Sequence, residues 1–301
     1  MIPEFPEFAS VSLELRAEVM EYIHRDPPAV SEMAFTNMFA WRRTYPVEVS
    51  RRGDALYVLA HGSEDRVFSC PPVGAPDAAE AAREMCGYLR GRDQEPLLMR
   101  LPRGMAEHLA DDGFQTEEDR PNWDYVYRVV DLAELTGRNY EKKRNRINKC
   151  LAEHECAYLT LTPDLFDEVL HLQTEWCDLR NCEFSPGLVS EDLAIREGLE
   201  HYEALELLGG VVFADGRLAA FTIGEAMSPR TAVVHFEKAD PSVDGLYQLV
   251  NQQFCEHELK AFEFVNREQD LGNEGLRRAK KSYHPHHMVE KYIARPGPGM
   301  V

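Results

Sequence analysis

The sequence predicts a mixed α/β (α+β) protein built from two domains of the same kind. Segments with helical apolar spacing and segments with alternating apolar residues follow one another along the 301-residue chain. Both halves also show one order: helices, then an antiparallel set of strands, then a strand, a helix and a strand. We therefore expect tandem domains at residues 1–134 and 135–301, each with a mixed, mainly antiparallel twisted sheet flanked by helices.

The first half contains helices and short β-rich segments. Predicted helices occupy residues 12–24, 77–91 and 103–113. Predicted strands occupy residues 46–50, 55–60, 66–70, 96–101 and 123–132. The last of these strands would complete the strand, helix and strand that end the first domain.

The second half repeats these kinds of element from residue 138 onward. Predicted helices occupy residues 138–149, 164–179, 190–205, 245–259 and 273–283. Predicted strands occupy residues 157–161, the hairpin 207–227, and residues 231–240 and 261–265. The hairpin is expected to turn at Asp215-Gly216, because this residue pair is typical of two-residue turns.

The composition is that of a globular protein, with 44% hydrophobic and 28% charged residues. A net charge of −19 argues against broad binding to DNA or to anionic membranes, and it leaves room for a local basic site. The first residues lack the features of a signal peptide, and no apolar run approaches the ~18 residues that span a bilayer. We therefore expect a cytoplasmic protein without a membrane partner.

The seven cysteines form neither a CxxC pair nor a regular framework, which predicts reduced thiols. Cys177 and Cys182 are five positions apart, so zinc ligation there would need distant partners. His284, His286 and His287 have no acid or cysteine cluster near them in sequence. The sequence therefore predicts no metal site, and it contains no Ser-His-Asp order, Walker A loop or HExxH motif.

Polar residues crowd the point where the predicted strand 261–265 gives way to a helix. In open α/β sheets, ligands bind at the carboxyl ends of strands, so these residues are candidate substrate contacts. They are Asn266, Arg267, Glu268 and Asp270. Arg267 offers a bidentate fork to a carboxylate or phosphate, and the acids suit an amino group. The alternative is a charged loop in which Arg267 pairs internally with Asp270 or Glu237.

Two basic segments stand out in this acidic chain. A helix over 138–149 would place Lys142, Arg146 and Lys149 along one stripe. The segment 273–283 adds Arg277, Arg278, Lys280 and Lys281. Together they predict a phosphate-binding surface that suits tRNA or a smaller ligand such as a CoA thioester. The alternative is a pair of solvated helix faces, which is the commoner role of charge runs.

The element order of the second half is that of the GNAT acyltransferase fold, and several segments resemble a narrower group. These segments are YEKKRNRINK, AFTIGEA, VHFEKAD, GLYQLVNQQF, FVNREQDLG and LRRAKKSYHP, with residues 35–41 and EDRPNWDYVY in the first half. They are similar to the bacterial family related to the C-terminal domain of phosphatidylglycerol lysyltransferase. The resemblance covers nearly the whole chain. It implies two GNAT-like domains in tandem, akin to FemX-type aminoacyl transferases. It also implies no tightly bound cofactor, with acyl-CoA or aminoacyl-tRNA as the donor.

The turn at residues 240–247 departs from the pattern of GNAT proteins that use acetyl-CoA. Those proteins hold the pyrophosphate with backbone N–H groups of a glycine-rich turn at a helix N-terminus. Here the turn has one glycine, Gly245, together with Asp240 and Asp244. This weakens the case for acetyl-CoA, although Asp244 could equally cap the helix. The candidate cofactor contacts are Gly245, Tyr247, Arg277, Lys280 and Lys281.

Acyl transfer needs a base, donors that stabilise an oxyanion, and an acid for the leaving group. His235 and Glu237 lie two apart on one predicted strand and should share a face. Glu237 is the candidate base, with Glu225 on the neighbouring strand as a rival, and His235 is a candidate substrate contact. The alternative is a polar strand face, or a Glu–Lys pair, that only holds the sheet.

Asn251 lies on the helix that follows the predicted strand 231–240, where it could cap that helix or bridge to the 266–270 loop. Tyr283 directly follows the last predicted helix, where GNAT acyltransferases often carry a tyrosine that protonates the leaving thiolate. The resemblance therefore implies that Tyr283 is the acid, and the alternative is a packed tyrosine.

The expected activity is transfer of an acyl or aminoacyl group to a small amine-bearing acceptor. The competing interpretation is a non-catalytic ligand-binding or regulatory module that retains the GNAT fold.

Overall fold

The computed structural model describes residues 1–62 and 66–300 of the chain. Contacts between residues divide the chain into two compact units, each of which combines segments that are distant in sequence. Unit 1 comprises Met1–Asp124, Gln269–Glu274 and Met288–Val301, and unit 2 comprises Tyr125–Glu268 and Gly275–His287. Among the helices of the described residues, none has the length and apolar character needed to cross a membrane.

The helices and strands of the described residues are numbered here in chain order. The helices are α1 (Leu13–Arg25), α2 (Phe35–Ala40), α3 (Ala78–Arg90), α4 (Arg103–Asp111), α5 (Val129–Glu134), α6 (Glu141–Glu153), α7 (Phe166–Arg180), α8 (Pro186–Glu200), α9 (Leu246–His257) and α10 (Glu274–Lys281). The strands are β1 (Ala9–Ser10), β2 (Val47–Arg52), β3 (Ala55–His61), β4 (Val67–Ser69), β5 (Leu98–Pro102), β6 (Gln115–Glu118), β7 (Asp124–Arg128), β8 (Cys156–Thr160), β9 (Leu208–Ala214), β10 (Arg217–Ser228), β11 (Thr231–Ala239), β12 (Phe264–Asn266), β13 (His287–Val289) and β14 (Lys291–Arg295).

Each unit contains one seven-stranded sheet, and the two strand orders correspond position by position. The first sheet has the order β1-β2-β3-β4-β5-β14-β6, and the second has the order β8-β9-β10-β11-β12-β7-β13. The pairs β4–β5 and β11–β12 run parallel, and their outer neighbours pair antiparallel. The prediction of two mixed, mainly antiparallel sheets flanked by helices is therefore confirmed.

In each sheet, the sixth strand comes from the other half of the sequence. It is β14 in the first sheet and β7 in the second. Strand β7 directly follows β6 in sequence, yet it pairs with β12 in the second sheet. Strand β14 ends the chain and pairs with β5 and β6 in the first sheet. The two halves of the sequence thus exchange equivalent strands.

Local sequence explains why the elements of unit 2 form where they do. Helix α9 buries Leu246, Leu249, Val250 and Phe254 at helical spacing, and this stripe packs against β9, β10 and β11. The hairpin of β9 and β10 turns as predicted at Asp215-Gly216, where both residues have positive φ angles of 51° and 79°.

The prediction of one strand over residues 123–132 is wrong in its second part. Strand β7 ends at Arg128, and α5 begins at Val129. Valine favours strands, but here helix α5 packs against α9 and buries Val129 and Leu132. Tertiary packing therefore overrides the local β propensity.

The prediction that all cysteines are reduced is also wrong, because Cys177 and Cys182 form a disulfide. Helix α7 ends at Arg180, and Asn181 then adopts a left-handed conformation with a φ of 51°. This reversal places the two Cα atoms 5.0 Å apart, within the usual range for a disulfide. The five-residue spacing of the two cysteines does not by itself predict that the chain changes direction at Asn181. The other five cysteines are free thiols.

Candidate active site at the ends of β11 and β12

Strands β11 and β12 run parallel for three residue pairs and then separate. Their register runs from Thr231 opposite Phe264 to Val233 opposite Asn266, and β11 then continues to Ala239 paired only with β10. The register of β11 with β10 also shifts by one residue between Ile223 and Gly224. His235 has no partner residue on β10 and forms a β-bulge. We call the space between β11 beyond Val233 and the residues after β12 the strand gap.

Two ion pairs cross the strand gap. Arg267 donates from Nη2 to Oε1 of Glu237 at 2.9 Å. His235 Nδ1 lies 3.0 Å from Oε1 of Glu268, and its Nε2 lies 3.1 Å from Oε1 of Glu225 on β10. The predicted alternative of an internal salt bridge between Arg267 and Glu237 is thus what the structure contains. These five side chains are called the gap cluster below.

The gap cluster is buried and keeps its cationic members charged. The side chain of His235 has 0% exposure, and those of Glu237 and Arg267 have 13% and 12%. Burial opposes the charge of His235, but its hydrogen bonds to Glu225 and Glu268 outweigh this and raise its pKa to about 9. Burial likewise opposes ionisation of Arg267, and the charge of Glu237 raises its pKa.

Three buried polar atoms beside Glu237 have no hydrogen-bond partner within the described residues. They are Oγ1 of Thr222, Oδ1 of Asn251 and Nη1 of Arg267. Thr222 lies opposite Glu237 in the register of β10 and β11, and Asn251 donates from Nδ2 to Oε2 of Glu237 at 3.2 Å. Buried polar groups without partners are rare in folded proteins because each costs desolvation energy. This position therefore offers a hydrogen-bond donor, an acceptor and a hydroxyl to a ligand.

Tyr283 lies next to the gap cluster, between two cationic groups. Its ring centroid is 4.9 Å from Cζ of Arg267 and 3.8 Å from Nζ of Lys143. Burial raises the pKa of Tyr283, and the charge of Arg267 only partly opposes this, so the hydroxyl stays protonated at neutral pH. Burial, followed by the charges of Arg267 and Arg146, lowers the pKa of Lys143 to about 8.

The turn before α9 is covered by α6. Gly245 is the N-cap of α9 and has a φ of 99°. A Cβ atom at this position would lie 2.4 Å from the carbonyl oxygen of Arg146 and 3.0 Å from Cβ of Cys150. The carboxylate of Asp244 lies 4.0 Å from Arg146 and 3.7 Å from Lys149. The backbone of α6 and the carboxylate of Asp244 therefore lie against the turn that corresponds to the pyrophosphate-binding turn of GNAT proteins that use acetyl-CoA.

The two predicted basic segments meet in unit 2. Lys143 of α6 donates to Oγ of Ser282, the residue after α10, at 2.7 Å. Lys280 of α10 donates to the carbonyl oxygen of Arg267, and Arg277 and Lys281 lie on the same helix. The predicted polyanion contacts Lys142, Arg146 and Lys149 are exposed on α6. We call these six residues (Lys142, Arg146, Lys149, Arg277, Lys280 and Lys281) the basic surface.

The remaining predicted residues have other partners. Asp270 has 0% exposure and binds Arg120 at 3.1 Å and the backbone N–H of Gly272 at 2.9 Å. Asn266 accepts a hydrogen bond from the backbone N–H of Glu268 at 2.8 Å. The hydroxyl of Tyr247 accepts one from Trp176 at 3.0 Å.

Sequence reasoning missed Thr222 and Lys143 as site residues. Both are unremarkable in sequence, since Thr222 lies within an apolar strand and Lys143 within a basic run. A hydroxyl in the middle of an otherwise apolar strand is the one signal that could have identified Thr222. Within the described residues, no group of three or more histidine, cysteine or acidic side chains is placed to hold a metal ion.

Comparison with known proteins identifies the family. The family described as phosphatidylglycerol lysyltransferase, C-terminal, matches residues 27–295. The chain belongs to this family. A conserved protein of unknown function from Bacteroides thetaiotaomicron VPI-5482 is 32% identical, with a TM-score of 0.90 over 98% of this chain and 99% of that chain. A search of the curated proteins finds no match.

Other solved structures share the fold of this phosphatidylglycerol lysyltransferase family member at low identity. The C-terminal domain of a putative lysylphosphatidylglycerol synthetase from Agrobacterium fabrum is 16% identical, with a TM-score of 0.68 over 94% of this chain and 92% of that chain. L-PGS from Bacillus licheniformis is 13% identical, with a TM-score of 0.65 over 99% and 94%.

FemX and a tandem GNAT protein of the clavulanic acid biosynthesis pathway also match, with TM-scores of 0.60 and 0.51. The predicted family resemblance and the GNAT-like fold are thereby confirmed. Family and fold together point to acyl or aminoacyl transfer.

Proposed function

We propose that this protein transfers an aminoacyl group from aminoacyl-tRNA to a small amine-bearing acceptor. The buried, unpartnered Nη1 of Arg267 carries the proposal. It lies in a strand gap of a GNAT-like unit, and it is oriented by the ion pair that Glu237 forms with the other guanidinium nitrogen. A fixed, desolvated donor of this kind suits the oxygen that becomes negative in acyl transfer.

The reaction forms one bond to the carbonyl carbon of the donor and breaks another. The acceptor amine attacks the ester carbon of aminoacyl-tRNA, and the carbonyl oxygen takes up negative charge beside Arg267. Glu237 accepts the proton of the amine through a carboxylate oxygen, each of which has capacity for more than one hydrogen bond. The ribose oxygen leaves with a proton from Tyr283, whose raised pKa keeps the phenol protonated.

Two features favour tRNA over CoA as the donor. The turn at Gly245 is packed against the backbone of α6, and Asp244 stands where the pyrophosphate of CoA would need backbone N–H groups. The basic surface presents exposed Lys142 on α6 and exposed Lys281 on α10, in a protein with a net charge of −19. Contacts of this kind suit the phosphates of a nucleic acid, which give affinity without sequence readout.

A non-catalytic ligand-binding module is the second candidate. One observation favours it: the charged groups of the gap cluster are paired with one another, so that each acid or base already has a protein partner. A module of this kind would bind free amino acid in the strand gap and transfer nothing.

Ligand-induced thermal shifts separate the two functions. We would compare aminoacylated tRNA, the same tRNA without amino acid, acetyl-CoA, longer acyl-CoAs and free amino acids. A ligand that binds the native state raises the melting temperature by mass action. A larger shift with aminoacylated than with uncharged tRNA, together with release of uncharged tRNA when amines are added, supports the transferase. A shift with free amino acids alone supports the module, and a shift with acyl-CoA alone refutes the proposed donor.

A further inference from the structure

Cys150 and Cys156 lie close together in unit 2, and both are free thiols. Cys150 is in the last turn of α6, and Cys156 is the first residue of β8. Their sulfur atoms are 3.8 Å apart, which is contact distance for two thiols. A disulfide would require the two sulfur atoms to approach further, to about 2.05 Å.

The two thiols differ in access to solvent. Cys150 has 0% exposure, and burial, followed by the neighbouring Cys156, raises its pKa to about 12. Cys156 is partly exposed and lines an open cavity of about 150 Å³, together with Tyr158, Leu249 and Gln252. This space admits a molecule as small as hydrogen peroxide. The pair therefore places one accessible thiol in contact with one buried thiol, which is the geometry of an oxidisable cysteine beside a second cysteine that can resolve it.

We propose that Cys150 and Cys156 form a redox site at which peroxide converts the two thiols into a reversible disulfide. Peroxide oxidises the accessible thiol first, so Cys156 becomes a sulfenic acid and one water is released. The sulfur of Cys150 then attacks the sulfur of Cys156. The hydroxyl group of the sulfenic acid leaves with the thiol proton as a second water, and the disulfide remains. A dithiol reductant returns both residues to thiols and is itself oxidised.

The bond would join the last turns of α6 to the first residue of β8. Gly245 packs against the same part of α6, since a Cβ atom added at this glycine would lie 3.0 Å from Cβ of Cys150. Oxidation therefore acts on the helix whose exposed side supplies Lys142, Arg146 and Lys149 to the basic surface. The redox site stands independently of the proposed transferase activity.

Peptide mapping of the full-length protein tests the site. Glu153 and Glu155 lie between the two cysteines, so cleavage after glutamate separates them into different peptides. After treatment with hydrogen peroxide, non-reducing mass spectrometry should detect these two peptides joined, and two free thiols should be lost per chain. Dithiothreitol should restore both thiols. The disulfide of Cys177 and Cys182 lies within one other peptide, residues 176–183, and does not interfere.

Two cysteine variants test whether the joined peptide contains the bond between Cys150 and Cys156. Cys156→Ala should abolish the joined peptide and leave Cys150 unmodified, while Cys86→Ala, at a buried thiol of α3, should leave the joined peptide unchanged. Cys156 found as a sulfinic acid with no joined peptide would overturn the proposal. So would a bond from Cys150 to any other cysteine. The wild-type map decides the question even where a variant folds poorly.

Discussion

Glu237 uses its two carboxyl oxygens on two different partners, Arg267 and Asn251. Replacing the carboxylate with a neutral amide removes the proposed base and leaves the buried guanidinium of Arg267 without its ion pair. We predict that Glu237→Gln lowers turnover at least ~100-fold, which is the usual scale of lost acid–base catalysis. Steady-state transfer assays with the aminoacyl donor measure the effect.

Glu263→Gln is the matched control for this prediction. Glu263 forms an ion pair with Arg230, but its side chain is 47% exposed and it lies outside the gap cluster. Its loss should leave turnover unchanged, since exposed ion pairs contribute little. Full activity in Glu237→Gln would show that this carboxylate only holds the sheet.

His235 links the stability of unit 2 to pH. Its pKa is raised from 6.5 to about 9, so its ion pairs with Glu225 and Glu268 stabilise the fold fully below pH 6.5. This contribution is lost as the pH rises through 9 and the imidazole loses its proton. We predict a fall in the free energy of unfolding on the order of 1–3 kcal/mol between about pH 6.5 and 9.

Chemical denaturation across this pH range measures the fall. His235→Gln keeps a polar side chain but does not titrate, so its stability should change less over the same range. An equal pH dependence in wild type and His235→Gln would assign the effect to another group.

Sequence reasoning named most of the residues that meet at the strand gap and missed how they are joined. His235, Glu237, Asn251, Arg267 and Glu268 were each predicted, and the structure brings them together. The role of Asn251 differs from the predicted one, because it binds a strand residue. Such pairings depend on the bulge at position 235 and on a positive φ of 53° at residue 268. Neither follows from residue types, since histidine and glutamate do not favour those conformations.

At the scale of elements, Gly245 is a point of tight contact between the turn before α9 and the backbone of α6. Its φ of 99° is unfavourable for any residue with a Cβ, and a methyl group there would lie 2.4 Å from a backbone oxygen of α6. We predict that Gly245→Ala lowers the free energy of unfolding by at least about 2 kcal/mol, because backbone strain and a steric clash add. Denaturant titration of the purified variant gives the value.

Gly216→Ala is the control that separates the cost of backbone strain from the cost of a steric clash with α6. Gly216 also has a positive φ, of 79°, but a Cβ there would meet no atom within 4 Å. This variant should lose only the cost of strain, roughly 1 kcal/mol. If both variants lose the same amount, α6 does not press on the turn, and the steric argument against CoA fails.

Most of the longer helices were predictable from apolar spacing, while the short helices α2 and α5 and the ends of strands were not. The predicted strand 261–265 is found as β12, Phe264–Asn266. The backbone N–H groups of Glu263 and Phe264 both donate to the carbonyl oxygen of Arg230, so regular pairing starts later. Where a strand begins thus depends on a neighbour distant in sequence, which local pattern does not contain.

At the scale of the whole molecule, the exchanged strands decide what can fold alone. Residues 135–301 lack β7, whose Tyr125 and Tyr127 are 0% and 1% exposed. Without β7, the edge of β12 would be unpaired and the apolar surface under these tyrosines would be open to water. We predict that residues 135–301 expressed alone are insoluble or unfolded. Circular dichroism and size-exclusion chromatography test this, with residues 124–301 as the control that retains β7.

A folded, monomeric fragment 135–301 would contradict this prediction and would support the division at residue 134 as a boundary between independently folding domains. The sequence predicted both sheets but not the exchange, because the residue pattern of β7 indicates a strand without indicating its partner, and residues 291–295 were not assigned to a strand. Only the three-dimensional path of the chain assigns each strand to its partner.

Because β7 and β14 are exchanged between the two sheets, cleavage of the backbone at one position need not separate the protein into two halves. The connection around Gly137 is exposed, and a protease that cleaves there would leave β7 on the first fragment and β14 on the second. Each fragment would still contribute the sixth strand of the other's sheet, held there by backbone hydrogen bonds. The nicked protein would behave as two interlocked pieces, and the same position is suited to building a split protein that reassembles from separately made parts.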